Sequence, residues 1–529
     1  MEALIFALII VGAVSLRLRF LSEGIWGDEG FTYYDIIAPT LHGMIEQIRV
    51  GEANPPLFFL LLRGWAHLFG VGETALRSFS LLWSVAAVIT TYYLARRCAS
   101  RSVALGAMFL VATSCLAITY SNNVRPYAMT QCLASLCVLL YDRVLVGGKW
   151  RTSAAWVVVS IALIWTHYVG IAVVAALFVT TLIVRPRFVV RPWVLITGYA
   201  LVAASFLPWL SIAIVQIHSG TPWVVVPTPL QRLAVAFDAI GLSSPFLPWL
   251  QWWFGLHIGD LIATMLLLVV AAAAHRMMRC PSRIRSAERS TQERSFTFVV
   301  LVLSVVLVLL ALTGYRLERY FMPIIPLTCV LYAGLIGQIY DGLSARGYPE
   351  RGVRWAMVGL VLVIVCLTIA TSEEYARVPK SGFRALVADA APLAADSHVL
   401  WIVAPEYAAS PVGYYLRNKK VSLHGFARWD EPQLLRVPGY VAFWHDPRLL
   451  TNMLGRVNAS ACSGFTRIAL VRPYGLGYIF VDSGKVAYSR EHIFEEDLGK
   501  RYHLIERRSY ARGGYQEASL ILFRLRCLH

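Results

Sequence analysis

The sequence predicts an all-α polytopic membrane protein of about eleven transmembrane helices with a C-terminal extracytoplasmic α/β domain. Three observations predict it. Of 529 residues, 57% are hydrophobic and 15% charged, against about 45–50% and 25% in ordinary soluble proteins. Mostly apolar segments of the length that crosses a bilayer, about 20 residues, recur through the first 372 positions. From residue 373 onward the apolar runs shorten to strand length and alternate with helix-like stretches. This composition excludes a soluble globular enzyme.

The spans lie near 2–20, 76–95, 102–120, 127–146, 152–168, 169–185, 193–214, 257–275, 296–313, 321–340 and 355–372. The first, around Ala3–Ser15, has the length of a signal peptide. No basic stretch precedes it and no A-x-A-like site follows, so it reads as a retained signal anchor. Net charge is +17, but the basic residues occupy short intervals between apolar runs and form no single soluble face that would suit nucleic acid. The intervals near 96–101, 143–151, 185–191, 276–294 and 346–354 hold 18 Lys and Arg, against nine on the opposite side. Positive loops stay in the cytoplasm, which places the N-terminus inside and the chain after 372 outside. Two domains follow: a transmembrane domain over 1–372 and a soluble extracytoplasmic domain over 373–529.

Two outer segments are too long to be simple connectors. Segment 21–75 holds amphipathic stretches near 33–50 and 57–69, separated by Asn54-Pro55-Pro56, and these read as helices at the membrane interface. Segment 215–256 is rich in Trp and Pro, including Trp223, Trp249, Trp252 and Trp253, and reads either as an aromatic belt or as a substrate contact. In the C-terminal domain, strand-like runs fall at Val399–Val403, Tyr440–Trp444, Ile468–Val471 and Leu520–Phe523. Helix-like runs fall at Phe383–Leu393, Ser410–Arg417 and Pro447–Val457. Seven of nine cysteines sit in or beside apolar segments as small hydrophobes; Cys462 and Cys527 either pair or stay free.

The sharpest polar feature is Trp26-Gly27-Asp28-Glu29-Gly30, just beyond the first span. Adjacent carboxylates at a membrane surface are either solvated in a turn or functional, as a base beside an apolar wall. Arg125 in Asn123-Val124-Arg125-Pro126-Tyr127, and Arg316 and Arg319 in Tyr315-Arg316-Leu317-Glu318-Arg319-Tyr320, share the outer level with Arg17 and Arg19. Each arginine either snorkels to lipid headgroups or binds phosphate, for which its planar fork is well shaped. His167, in Thr166-His167-Tyr168, is either structural or a ligand.

The order of these motifs carries a resemblance. A W-x-D-E motif after the first span is followed by N-P-P-L (Asn54–Leu57), A-L-R (Ala75–Arg77), Arg125-Pro126-Tyr127, T-H-Y (Thr166–Tyr168) and R-Y-x-x-P (Arg319–Pro323). Over roughly residues 5–340 the chain resembles glycosyltransferase family 39, the protein-mannosyltransferase-like, polyprenyl-phosphate-sugar-dependent membrane enzymes of the GT-C fold. The resemblance implies an inverting transfer of a sugar from a polyprenyl-phosphate donor to an extracytoplasmic glycan, lipid or protein. It implies Asp28 as catalytic base with Glu29 beside it, because a hydroxyl is a poor nucleophile until its proton is taken.

The same resemblance implies donor-phosphate binding by Arg125, Tyr127, Arg316, Arg319 and Tyr320, and acceptor or sugar contacts from Trp26, Asn54, His167 and Tyr168. Family members that transfer aminoarabinose carry a lysine where Asn54 stands, so another sugar is expected. The best-matching relatives are bacterial, which implies the inner membrane with a periplasmic C-terminal domain. The implied partners are the lipid-linked sugar, the bilayer and the acceptor, with no nucleic acid. No metal-ligand set is evident; Asp28 and Glu29 could bind a divalent cation, but arginines already face the phosphate, so no cofactor is expected. A transporter or flippase of lipid-linked saccharides would use the same arginines and an apolar groove, but with repeats and broken helices at the bilayer midplane. A membrane-anchored binding protein would leave the acidic pair unexplained.

Overall fold

The computed structural model describes residues 2–184, 191–219, 287–313, 318–345, 348–349, 351–352, 354–356, 358–359, 362, 366, 380–404, 408–425, 429–430, 448–474, 494–510 and 517–528. In chain order the helices are α1 (Glu2–Leu18), α2 (Gly27–Ile36), α3 (Leu41–Gly51), α4 (Leu57–Phe69), α5 (Glu73–Cys98), α6 (Arg101–Thr113), α7 (Cys115–Ser121), α8 (Tyr127–Leu145), α9 (Trp150–Thr166), α10 (Val169–Val184) and α11 (Pro192–Ser219). They continue with α12 (Ala287–Thr313), a 3-10 helix (Glu318–Ile324), α13 (Ile325–Ala345), α14 (Phe383–Asp389), α15 (Ala391–Ala394), α16 (Ala409–Leu416) and α17 (Leu449–Cys462). The chain divides into two compact units, one of Met1–Leu21, Arg77–Leu210 and Val226–Glu374, the other of Ser22–Leu76, Ser211–Val225 and Tyr375–His529.

The described part of the first unit is helical. Five described helices are long and apolar enough to cross a membrane: Glu73–Cys98, Tyr127–Leu145, Pro192–Ile217, Thr291–Leu310 and Arg319–Asp341. The shorter apolar helices α9 and α10 occupy the expected spans 152–168 and 169–185, and α1 occupies the expected span 2–20. The expected span 257–275, and the Trp-rich segment beyond residue 219, lie outside the described residues, while 355–372 is described only at isolated positions. The expected single helix 102–120 is instead two, α6 and α7, bent by 55°. Ser114 makes the break: its backbone is extended, and its hydroxyl accepts the Ala117 N–H at 3.3 Å to cap α7.

A broken helix leaves carbonyls without partners, and hydrocarbon supplies none. Arg17, fully buried, fills that need: its guanidinium donates to Ala112 O at 2.9 Å and Val111 O at 3.4 Å, and to Ser84 Oγ at 2.8 Å. An arginine that the sequence groups with the outer-face cations therefore ties α1, α5 and α6 together.

Helix α8 is the axis of this unit, buried along most of its length. Hydroxyls and a thiol hold its neighbours at short range: Ser135 with Thr90 of α5 at 2.6 Å, Cys137 with Ser160 of α9 at 3.3 Å, and Tyr141 with Thr181 of α10 at 2.7 Å. Such small polar contacts suit helices in lipid, where apolar surface by itself gives no preference for helix over solvent. On α13, Gly334 lies against the Phe296 ring and Gly337 against Val103, positions where any β-carbon would clash.

The second unit joins α2–α4 to a five-stranded sheet. Its strands are β1 (Val399–Val403), β2 (Leu423–Gly425), β3 (Arg467–Tyr474), β4 (His503–Tyr510) and β5 (Glu517–Arg524), in the order β2-β1-β3-β5-β4. β1 runs parallel to β2 and β3, while β5 is antiparallel to both β3 and β4. β1 is buried at every position, as expected for a central strand covered on both faces. α14 and α16 pack on one face around Phe383, Trp401 and Leu520. α17 and residues 494–501 pack on the other around Ile402, Phe494 and Phe523. Cys462 at the end of α17 is disulfide-bonded to Cys527, settling the pairing that the sequence left open. The expected strand 440–444 lies outside the described residues.

Candidate functional site

In the membrane unit, three helix ends present the polar residues. Pro126 opens α8, and Arg125 precedes it in a tight turn in which its N–H donates to Asn123 O at 2.8 Å. His167 ends α9 in an extended conformation, and the 3-10 helix carries Arg319 and Tyr320 in its first turn. The rings of Tyr127 and His167 lie 5.9 Å apart and those of His167 and Tyr320 5.7 Å apart. The Arg319 guanidinium carbon sits 5.8 Å from the centres of both the Tyr127 and Tyr320 rings. Arg125 and Arg319 both act electrostatically on His167. Five of the expected residues thus form one cluster: two fixed cations, two phenols and an imidazole.

The imidazole's role follows from its neighbour. The Val169 N–H donates to His167 Nδ1 at 3.1 Å, so the neutral ring carries its proton on Nε2 and is a hydrogen-bond donor there. Donors backed by guanidinium groups and aromatic edges suit an anion. Tyr168 is engaged elsewhere, its hydroxyl accepting from Trp209 Nε1 at 3.0 Å, a partner with no motif in the sequence to announce it. Arg316 lies outside the described residues.

In the second unit, the acidic motif is not a loop turn. Trp26 caps α2, and Asp28 and Glu29 occupy its first turn, where the helix dipole favours carboxylates. The two acids have different surroundings. Glu29 is fully buried, accepts the Trp26 N–H at 3.4 Å and pairs with Lys380 at 3.2 Å. Asp28 is only partly buried, and its carbonyl accepts the Thr32 hydroxyl at 3.1 Å.

The flanks of the motif are held as firmly. The Tyr415 hydroxyl accepts the Ile25 N–H at 2.7 Å and donates to Glu73 at 2.6 Å, while Ser410 Oγ donates to Gly27 O at 3.3 Å. Burial pushes the Tyr415 phenol well above the ordinary tyrosine range, and the Glu73 carboxylate pushes it further, so it stays a neutral donor. Gly30 lies so close to the Ser410–Pro411 backbone that a β-carbon would come within 2.7 Å of Pro411 N. Asn54 is buried between α3 and α4. Lys380, Ser410 and Tyr415 were not legible as site residues, since they sit more than 350 positions after the motif without a recurring pattern. Among the described residues, no three His, Cys, Asp or Glu side chains gather as a metal-binding group.

The fold is GT-C-like. Residues 53–212 match the family described as dolichyl-phosphate-mannose-protein mannosyltransferase. The crystal structure of ArnT from Cupriavidus metallidurans in the apo state is similar with a TM-score of 0.56 at 14% identity, covering 98% of this chain and 97% of that one. The same protein bound to undecaprenyl phosphate gives 0.54 at 14% identity, with the same coverage of 98% and 97%. The oligosaccharyltransferase AglB from Archaeoglobus fulgidus, in complex with an inhibitory peptide and a dolichol-phosphate, gives 0.51 at 12% identity, covering 89% of this chain and 69% of that one. No curated protein matches the chain in sequence.

Proposed function

We propose that the chain transfers a sugar from a polyprenyl-phosphate donor to an extracytoplasmic acceptor, inverting the anomeric carbon. The observation that carries this reading is the cluster of Arg125, Tyr127, His167, Arg319 and Tyr320 at the ends of membrane helices. An isoprenoid chain belongs in lipid, and its phosphate belongs at a level where fixed cations and donors meet it. The polyprenyl phosphates in the similar structures support the same ligand class.

In the proposed reaction, the acceptor hydroxyl attacks the anomeric carbon as Asp28 takes its proton. The bond from that carbon to the phosphate oxygen breaks, and its electron pair leaves on the lipid phosphate. Arg125 and Arg319 stabilise the developing charge, with Tyr127 and Tyr320 as donors; His167, expected among the acceptor or sugar contacts, lies in the same cluster and is proposed instead as a further donor through Nε2–H, and Arg316 is a further proposed phosphate ligand. Fixed donors aimed at developing charge act without reorganising during the reaction. Asp28 rather than Glu29 is assigned the proton because Glu29 is fully buried whereas Asp28 is partly exposed. Trp26, Asn54 and Tyr168 are assigned to the sugar or the acceptor, and the absence of lysine at position 54 favours a sugar other than aminoarabinose. Residues 373–529 form the proposed acceptor-selecting domain, in the periplasm of a bacterial inner membrane whose cytoplasmic side holds the N-terminus.

The test compares surface glycans and polyprenyl-phosphate sugars, by mass, in cells carrying the wild type or Asp28→Asn at matched membrane expression. Loss of one sugar from a surface acceptor with accumulation of its lipid donor supports the reading, and the missing mass names the sugar. Unchanged glycans and donors refute it and favour a transporter.

A further inference from the structure

Lys380 stands apart from every motif of the sequence, yet it pairs with Glu29 of the acidic motif. Its ammonium lies 3.2 Å from Glu29 Oε1, with its side chain 14% exposed and that of Glu29 0% exposed. It also lies 5.8 Å from the centre of the Trp26 ring, over the residue that caps α2. The next residue adds a second tie: Ser381 Oγ donates to Ile25 O at 2.7 Å. A β-carbon on Gly24 would come within 2.8 Å of Ser381 Oγ, so the two backbones approach closely there. Two consecutive residues therefore hold the segment Gly24–Glu29 by charge, ring face and hydrogen bond.

We propose that Lys380 is a positioning residue for the proposed transfer, holding Glu29 and thereby setting the orientation of Asp28 in the first turn of α2. The inference rests on the function proposed above. A buried carboxylate is stable only with its partner charge, and removing that partner drives it toward solvent. Glu29 and Asp28 are neighbours in one helical turn, so a rotation that exposes Glu29 also turns Asp28. Ser410, which donates to Gly27 O, and Thr32, which donates to Asp28 O, hold the turn's backbone. Lys380 holds its charged side.

The experiment uses the full-length protein in liposomes. Its donor is the polyprenyl-phosphate sugar fraction purified from cells lacking the chain, and its acceptor is envelope membrane from the same cells. Donor consumption is followed by mass for the wild type, Lys380→Met, Lys380→Arg, Glu29→Gln and the double variant Glu29→Gln/Lys380→Met. Lys380→Met is expected to lower kcat about 100-fold, the scale of a misplacement near 1 Å, with KM for the donor changed less than about threefold. Lys380→Arg, which keeps the charge, recovers most of that loss. The double variant loses no more than either single variant, because residues that act as one unit are not additive.

Additive losses, a change in KM alone, or full turnover by Lys380→Met would overturn the inference while leaving the transferase reading intact. A wild type that consumes no donor, indistinguishable from Asp28→Asn, overturns the reading itself and this inference with it. Thermal unfolding of each variant in detergent separates misfolding from misplacement: Lys380→Arg and the double variant are expected to unfold within a few degrees of the wild type, and a common large loss of stability that alone accounts for the activity loss also overturns it.

Discussion

The guanidinium of Arg17 donates to the carbonyl oxygen of Ala112 at 2.9 Å, across 95 positions of sequence. Ala112 is in the last turn of α6, where the bend into α7 removes the helical N–H that its carbonyl would otherwise meet. A cation in a membrane helix is therefore explained by the broken helix beside it, with no need of lipid headgroup or substrate.

Arg17→Met keeps the length and removes the donors. Buried carbonyls left without a partner cost about 1–3 kcal/mol each, so this variant is expected to unfold at clearly lower temperature in detergent. Intrinsic fluorescence or calorimetry during a thermal ramp checks it; an unchanged transition would show that α6 and α7 do not depend on this contact.

Arg319→Lys tests the phosphate cluster more sharply than truncation does. A lysine keeps the charge but has no planar fork to lie against the Tyr127 and Tyr320 rings while binding oxygen. Donor turnover is expected to fall by about 10²-fold or more, the scale seen when one fixed transition-state donor is lost, with the protein's unfolding temperature nearly unchanged. Wild-type turnover in this variant would remove Arg319 from the phosphate site.

Gly30→Ala inserts a carbon where Ser410 Oγ and Pro411 N both lie within 2.7 Å of its ideal place. The backbone must shift to admit it. Overpacking of this kind costs about 1–3 kcal/mol, and here it also displaces the turn that holds Asp28 and Glu29. Donor consumption should fall much more than the cost in stability alone would produce. Equal, small losses in both would show that α2 tolerates movement on α16.

Acid should destabilise the second unit through its surface carboxylates. Asp389 is held below the ordinary carboxylate range by the Tyr510 hydroxyl and then by Arg508, whose guanidinium lies 2.7 Å away. Asp396 is held low by the His398 N–H and then by Arg467. Because both are depressed in the folded chain, their contribution is present above about pH 4, the unfolded aspartate value, and is lost as pH falls through the folded values. Asp389→Asn is expected to flatten the fall in unfolding temperature between about pH 4 and pH 2, measured by circular dichroism; an unchanged slope would show that the Tyr510 and Arg508 contacts do not persist in solution.

The elements that the sequence revealed are those with one strong local signal. β1 and β5 are apolar runs because both their faces are covered, and α8 and α11 are apolar because lipid or other helices surround them. β4, His-Leu-Ile-Glu-Arg-Arg-Ser-Tyr, was missed because it is an edge strand mostly open to water, where charge replaces alternation. β2, at three residues, carries no period at all. The sequence leaves the acidic motif open between a solvated turn, which its two glycines favour, and a functional carboxylate pair, and carries no helical signal there. In the structure it forms the first turn of α2, with Gly30 packed closely on Ser410 and Pro411 and Glu29 accepting the Trp26 N–H.

By itself the sequence determined the membrane character, the all-α architecture with its C-terminal α/β part, and the chemical types at the site. Those follow from hydropathy and from residue identity, which are local properties. Only the tertiary structure decided which carboxylate is buried, which arginine serves the fold and which faces the imidazole. Glu29 is fully buried and receives Lys380 from 351 positions away, and Arg17 differs from Arg319 because a helix breaks beside it. Burial and partnership depend on what the rest of the chain brings to a position, and no window of local sequence contains that.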